Sequence, residues 1–258
     1  MQRTSIDRFG NVAAFGLVLF VNYLANALPL GGRTTGAISD SYQSLFTPAG
    51  FTFAIWGVIY LALIGFVIRQ LLKSESHDES LREMSTPFQI SCLANAGWIF
   101  SWHFEQLALS MFFMLVLLGS LIRVYLVLNR GGFQGSFLRW LIVAAPFSLY
   151  LGWITVATLA NVSIIQSANG WNDALLAETT WTLLKLGAAL ILALWVGIQR
   201  KDGVYVLVIA WAAYGISAGQ ASSAVVSSSA LTLSYITLLF GLTLLYHLRR
   251  YFQYQPHD

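Results

Sequence analysis

Residues 51–71, Phe-Thr-Phe-Ala-Ile-Trp-Gly-Val-Ile-Tyr-Leu-Ala-Leu-Ile-Gly-Phe-Val-Ile-Arg-Gln-Leu, run without a charge until Arg69. A helix of about 20 apolar residues crosses a bilayer's hydrocarbon core and satisfies its own backbone hydrogen bonds on the way. Comparable stretches occupy residues 11–29, 87–104, 107–129, 137–162, 181–199, 203–220 and 229–248, separated by short polar connections. This pattern predicts an all-α, polytopic integral membrane helix bundle with about eight transmembrane helices.

Composition agrees. The chain is 57% hydrophobic and 10% charged, with a mean hydropathy of +0.67, whereas soluble domains run nearer about 45–50% apolar. A soluble enzyme is excluded on that ground. The single cysteine, Cys92, lies within an apolar stretch, so one chain builds neither a disulfide framework nor a cysteine metal site. The net charge of +3 is not a nucleic-acid signal, because the basic residues sit mostly in the connections. The expected partners are the lipid bilayer and a hydrophobic small molecule.

Arg69, Lys73, Arg82, Arg123, Arg130, Arg139, Arg200, Lys201, Arg249 and Arg250, ten of the fourteen basic residues, fall around the connections after spans two, four and six and in the C-terminal tail. The positive-inside rule is read as putting the N-terminus outside and the C-terminus in the cytoplasm, a placement taken to require an even number of spans, which eight satisfies, with Arg3 and Arg8 as opposing charges. A bacterial cytoplasmic membrane fits this asymmetry. The first span has no small-residue cleavage site behind it and is expected to be retained. The mixed-charge stretch Lys73–Glu83 reads as a solvated loop.

Along the chain, residues 1–165 hold the long first connection and five spans, and residues 180–250 hold three more; a polar connection around Gln166–Glu178 separates them. The tail spans are rich in small residues, among them Gly187, Gly197, Gly215, Gly219 and Gly241, which suit close helix packing and permit a homodimer.

Chemistry inside the spans must come from their polar and aromatic side chains. Thr52, Trp56 and Tyr60 recur every four residues and share one helix face. At spacings of three and four, Asn95, Trp98 and Trp102 likewise share a face, as do Tyr150, Trp153, Ala157 and Asn161. Three flat-walled stripes, each with a hydrogen-bonding partner, suit a planar and largely apolar ligand. Stripes at this spacing equally serve packing or interfacial anchoring, and intramembrane amides equally join helices.

These residues resemble the TspO/MBR family, the translocator or tryptophan-rich sensory proteins. Phe46-Thr-Pro-Ala-Gly-Phe-Thr-Phe-Ala-Ile-Trp-Gly-Val-Ile-Tyr60 is similar to the entry of that family's second helix, with Pro48 ahead of Trp56-Gly57-x-x-Tyr60. Asn95-x-x-Trp98 is similar to its third-helix motif, and Tyr150-Leu-x-Trp153 with Thr158 and Asn161 to its fifth helix. The resemblance covers about residues 10–165, a five-helix bundle, so the tail appears as three extra helices. It implies a receptor- or transporter-like protein that holds a tetrapyrrole such as porphyrin or haem, or a related lipid, in an aromatic cavity lidded by residues 30–50. Carried over by position, the ligand-binding residues are Trp56, Tyr60, Asn95, Trp98, Trp102, Trp153 and Ala157, with Pro48, Tyr150 and Asn161 structural or ligand-binding. No catalytic residue, metal or required cofactor is implied; a tetrapyrrole enters as ligand.

Three departures bear on this. The first connection lacks the tryptophans and extra proline common in the family, Ile99-Phe100 replaces a frequent double proline after Trp98, and Val162-Ser-Ile-Ile-Gln166 lacks the sterol motif. A second reading uses all eight helices as a secondary transporter or membrane enzyme, with Lys185, Glu105 and His103 forming a proton or substrate path, since ionisable residues in spans are functional candidates. Lys185 snorkelling to the interface, beside Asp173 and Glu178, is the plainer account of that residue. Phosphate-cradling glycine loops and metal-protease or hydrolase motifs do not occur.

Overall fold

Apolar runs become helices here because nothing else closes a backbone's hydrogen bonds in lipid. The computed structural model describes residues 3–27, 30–42, 44–130, 135–171 and 173–253. Its long helices are α1 (Ser5–Ala27), α3 (Ile55–Arg69), α4 (Glu79–His103), α5 (Leu107–Leu128), α7 (Ala145–Ala168), α8 (Glu178–Arg200), α9 (Gly203–Gly219) and α10 (Ala224–Gln253). Two short ones intervene, α2 (Thr35–Ser41) and α6 (Phe137–Val143). No strand occurs among the described residues. Leu28 and Pro29, expected to close the first span, and Gln43 of the first connection lie outside them.

Among the described residues, six segments are long and apolar enough to cross a membrane: Ile6–Ala27, Gly50–Arg69, Leu107–Leu128, Phe137–Ala168, Glu178–Arg200 and Ala224–Gln253. The other two long helices depart for separate reasons. At 17 residues α9 is apolar but short. α4 has the length but not the hydropathy, because it turns Ser85, Ser91, Asn95, Ser101 and His103 into the interior. Outward, the bundle presents Phe20, Leu61, Phe112, Ile191 and Leu239 to the surroundings, as lipid requires.

Helix ends follow local chemistry. Asp78 begins α4 by accepting from Leu81 N at 2.8 Å, and Asp202 begins α9 by accepting from Tyr205 N at 3.0 Å; each satisfies a first-turn amide that no helical carbonyl reaches. Pro146, which lacks an amide hydrogen, separates α6 from α7. Of the apolar spans, that of α7 is the most buried. It packs against α3, α5 and α9, while α1 lies on α4, and α8 and α10 close around α9. The tail glycines allow this approach: a Cβ on Gly203 would stand 2.7 Å from Gly241 O, and one on Gly241 2.8 Å from the Leu207 side chain.

The side on which the N-terminus lies is a correction. Arg3 Nη1 donates to Gln70 O at 2.9 Å, Arg139 pairs with Glu75 and Asp78, Arg130 pairs with Glu83, and Phe252 packs against Phe137 and Trp140. Both described ends, at Arg3 and Phe252, therefore share one face with residues 70–78, 129–130, 135–136 and 201–202. An even number of crossings returns a chain to the face it left, so the termini do not lie on opposite sides, and Arg3 and Arg8 join the basic face instead of opposing it. The opposite face carries the long first connection, the α4–α5 turn, residues 169–177 and residues 220–223.

Lys73–Glu83 also departs from a solvated loop. Glu79 to Glu83 form the first turn of α4, and Glu75 is buried between Arg69 and Arg139. Burial raises the Glu75 carboxyl, but the two guanidiniums outweigh it and hold the group below its ordinary value.

Candidate functional site

The three stripes meet. From α3, the Trp56 ring stacks on Tyr60 with centroids 5.4 Å apart and 25° between planes, and on Trp98 of α4 at 6.2 Å and 30°. Its edges meet Tyr150 at 5.9 Å and Trp153 at 6.2 Å, both on α7. Trp98 in turn stacks on Trp102 at 5.7 Å, which continues the array towards the long connection. Helical spacings of three or four place these rings on one face of each helix, and the packing of α3 and α4 around α7 turns those faces together.

Amides fix the array. Asn95 Oδ1 accepts from Asn22 Nδ2 at 2.9 Å, and Asn95 Nδ2 donates to Tyr150 Oη at 2.9 Å, which ties α1, α4 and α7 through one side chain. Trp98 Nε1 donates to Asn161 Oδ1 at 3.3 Å, and Asn161 Nδ2 donates to Ser110 Oγ at 3.3 Å. Asn161 thus joins α4, α5 and α7 at the edge of the array. Trp102 Nε1 donates to Thr35 O at 3.2 Å and holds α2 over the cluster. Ala157 stands one turn from Trp153, half-buried against the core.

Three buried polar atoms of the stripes, Thr52 Oγ1, Tyr60 Oη and Trp153 Nε1, make no hydrogen bond of good geometry, although the Asn95 side chain stands close enough to the Tyr60 hydroxyl to interact with it. Tyr60 is stacked on Trp56, and Trp153 meets Trp56 edge-on. A buried donor or acceptor left unsatisfied costs about 1–3 kcal/mol, so the cluster is chemically open although its rings are in mutual contact. A planar ring held between two aromatic faces needs about 7 Å between them, twice a van der Waals contact. Trp56 and Trp98, with centroids 6.2 Å apart, must part slightly to admit one.

The connection over the cluster is ordered in pieces. α2 is begun by Thr34, whose hydroxyl accepts from Ala37 N at 3.2 Å. Arg33 and Tyr42 both reach Glu105 in the α4–α5 turn, the tyrosine at 2.8 Å. The Tyr42 hydrogen bond, with Arg33 behind it, holds Glu105 below its ordinary value. Phe53 meets Trp153 edge-on at 6.0 Å. Pro48 lies in the segment that abuts Gly219 of α9.

The groups of the eight-helix reading have separate surroundings. His103 is buried, with Nδ1 on Ile99 O at 2.9 Å. Glu105 is taken by Arg33 and Tyr42. Lys185 donates to Gln166 Oε1 between α8 and α7, while Glu178 accepts from Leu45 N at 2.9 Å and Asp173 from Glu178 N at 2.8 Å. No hydrogen bond or ion pair joins Lys185, Glu105 and His103 among the described residues. Clusters of three or more His, Cys, Asp or Glu able to hold a metal are likewise absent among them.

Asn22, Phe53 and Trp211 belong to the cluster or its frame but do not stand out along the sequence. Asn22, an amide within the first apolar span, is the one with a readable signal.

The family model of TSPO-like proteins matches residues 8–243. The chain belongs to the TspO-like family. The match runs past residue 165 across α8, α9 and most of α10, so these helices lie inside the family's compass. No curated protein and no solved structure matches the chain. Family and architecture together make this TspO-like protein an integral membrane protein of a ligand-binding kind.

Proposed function

We propose that this TspO-like protein binds a planar hydrophobic ligand of tetrapyrrole type between its aromatic stripes, as a receptor or carrier and not as an enzyme. The observation that carries the reading is the pair of buried groups without a hydrogen bond of good geometry, Tyr60 Oη and Trp153 Nε1, set around the stack of Tyr60, Trp56 and Trp98, which Trp153 meets edge-on. A porphyrin supplies what such a site lacks: a flat face for Trp56 and Trp98, and ring nitrogens or carboxylates for the free indole and phenol. Asn95 and Asn161 act as rigid struts that fix ring orientation, since their own hydrogen bonds are already made to protein. The basic face bearing both termini is cytoplasmic by the positive-inside rule, so the ligand site opens beneath the connection on the opposite face.

Titration of the purified protein in nanodiscs with protoporphyrin tests this, followed through the porphyrin absorption band. Saturable binding that weakens by at least about tenfold in Trp98→Ala/Trp153→Ala is expected, because each truncated ring removes a stacking face of about 1–3 kcal/mol. Equal binding in both chains sinks the placement of the site.

A further inference from the structure

The segment that enters α3 is held from the far end of the chain. Gln220, just past α9, donates through Nε2 to Ser44 O at 3.2 Å and Thr47 O at 2.8 Å. Trp211 Nε1 donates to Thr52 O at 3.0 Å, and Ala49 N donates to Gly215 O at 2.9 Å. Gly215 and Gly219 make room for this approach: a Cβ on Gly215 would collide with the Thr52 hydroxyl, and one on Gly219 would stand 2.7 Å from Ala49 N. Phe51 adds an edge-on contact to Trp211 at 5.6 Å. The Ser44 and Thr47 carbonyls lie in the connection, and Thr52 O already accepts from Ile55 N; all three also take a side-chain donor more than 150 residues away in sequence.

What this segment carries next is the site. Phe53 meets Trp153, and Trp56 stacks on Tyr60 and Trp98. We infer that Trp211 and Gln220 are positioning residues of the aromatic site: α9 latches residues 44–52, and the latch sets how readily Trp56 and Trp98 part to admit a ligand. This rests on reading the aromatic cluster as the ligand site. It gives the C-terminal helices a role in ligand exchange without any of them touching the ligand.

The full-length Trp211→Phe/Gln220→Ala variant removes three hydrogen bonds and keeps an aromatic ring at position 211. Hydrogen exchange in nanodiscs reports the latch directly, because the Ala49 amide is untouched by either substitution. Exchange over residues 47–52 is expected to quicken by at least about tenfold, with exchange over residues 88–99 of α4 unchanged. Protoporphyrin association, read by stopped-flow absorbance, is expected to quicken by about three- to tenfold. Unchanged exchange over residues 47–52 overturns the latch, and so does an equal rise in α4, which marks general loosening. Faster exchange with unaltered protoporphyrin kinetics, in a parent chain that binds it, overturns the positioning role. If the parent chain binds no protoporphyrin, the proposed function fails and the exchange data alone judge the latch.

Discussion

Two phenols one stack apart make a controlled comparison. Tyr150→Phe and Tyr60→Phe delete the same oxygen from rings that both touch Trp56, yet the two hydroxyls differ in kind. Tyr150 Oη accepts from Asn95 Nδ2 at 2.9 Å, so its loss strands an amide hydrogen in the bundle interior. Hydrogen bonds within membrane bundles are worth about 0.6 kcal/mol on average and up to about 1.7, and a stranded donor adds to the cost; Tyr150→Phe should lose about 1–2 kcal/mol. Tyr60 Oη makes no hydrogen bond of good geometry, and its neighbour Asn95 is already committed to Asn22 and Tyr150, so Tyr60→Phe should cost little and relieve up to about 1–3 kcal/mol. At about 2–4 °C per kcal/mol for a chain of this size, Tyr150→Phe melts about 2–8 °C lower and Tyr60→Phe no lower than the parent. Cys92 is the only cysteine and is buried on α4, so a thiol-reactive fluorophore reads the melting without an added label. With protoporphyrin present the order changes: Tyr60→Phe should lose about two- to tenfold in affinity, one hydrogen bond's worth. If Tyr60→Phe melts as low as Tyr150→Phe, its hydroxyl is already bonded in the empty protein, and the argument that it waits for a ligand is refuted.

On the basic face, Glu75→Gln keeps the shape but strips the charge between Arg69 and Arg139, and should cost about 1–3 kcal/mol in the same melting assay. Because the folded-state Glu75 is held below its ordinary value, its stabilisation is complete above the unfolded carboxylate value of about 4.3 and is lost as pH falls through the lower folded value. The melting gap between Glu75→Gln and the parent should therefore close in acid and stay constant between about pH 6 and 8; a gap that widens in acid contradicts this. By contrast, Glu105→Gln at the exposed Arg33 contact should change stability by less than about 1 kcal/mol, and its salt dependence should vanish. Gly215→Ala forces the new methyl against Thr52 and should destabilise by about 1–3 kcal/mol, read as a lower melting temperature.

The helices were legible because the bilayer admits so few solutions: an apolar run of that length has no alternative to a helix. The one helix whose hydropathy fails, α4, was legible for a different reason. Its polar residues fall on the face that also carries Trp98 and Trp102, and only a neighbour-facing surface tolerates Asn95 inside lipid. Legible too were the rings that meet, since spacings of three or four in each of three helices leave little freedom once the helices pack. Sidedness was misjudged because an even number of spans was paired with termini on opposite sides, whereas an even number of crossings brings the chain back to the face it left; Arg3 on Gln70 is the contact that shows it. The partners of Glu75 and the Trp211–Thr52 bond were out of reach, because they join residues distant in sequence with no periodicity linking them.

The tail helices looked plain along the sequence, rich in glycine, alanine and serine, and the structure explains why plainness was required. A latch on a backbone segment needs donors aimed at carbonyls and an absence of side chains in between. Gly215 and Gly219 supply the absence, and Trp211 and Gln220 supply the donors on the same stretch of α9. Bulkier residues at those two glycines would push residues 47–52 away from α9 and carry Phe53 and Trp56 with them. The small-residue composition of α9 is thus tied to the geometry of the ring cluster through residues 44–52, and a bulkier residue at Gly215 or Gly219 should be felt at Trp56.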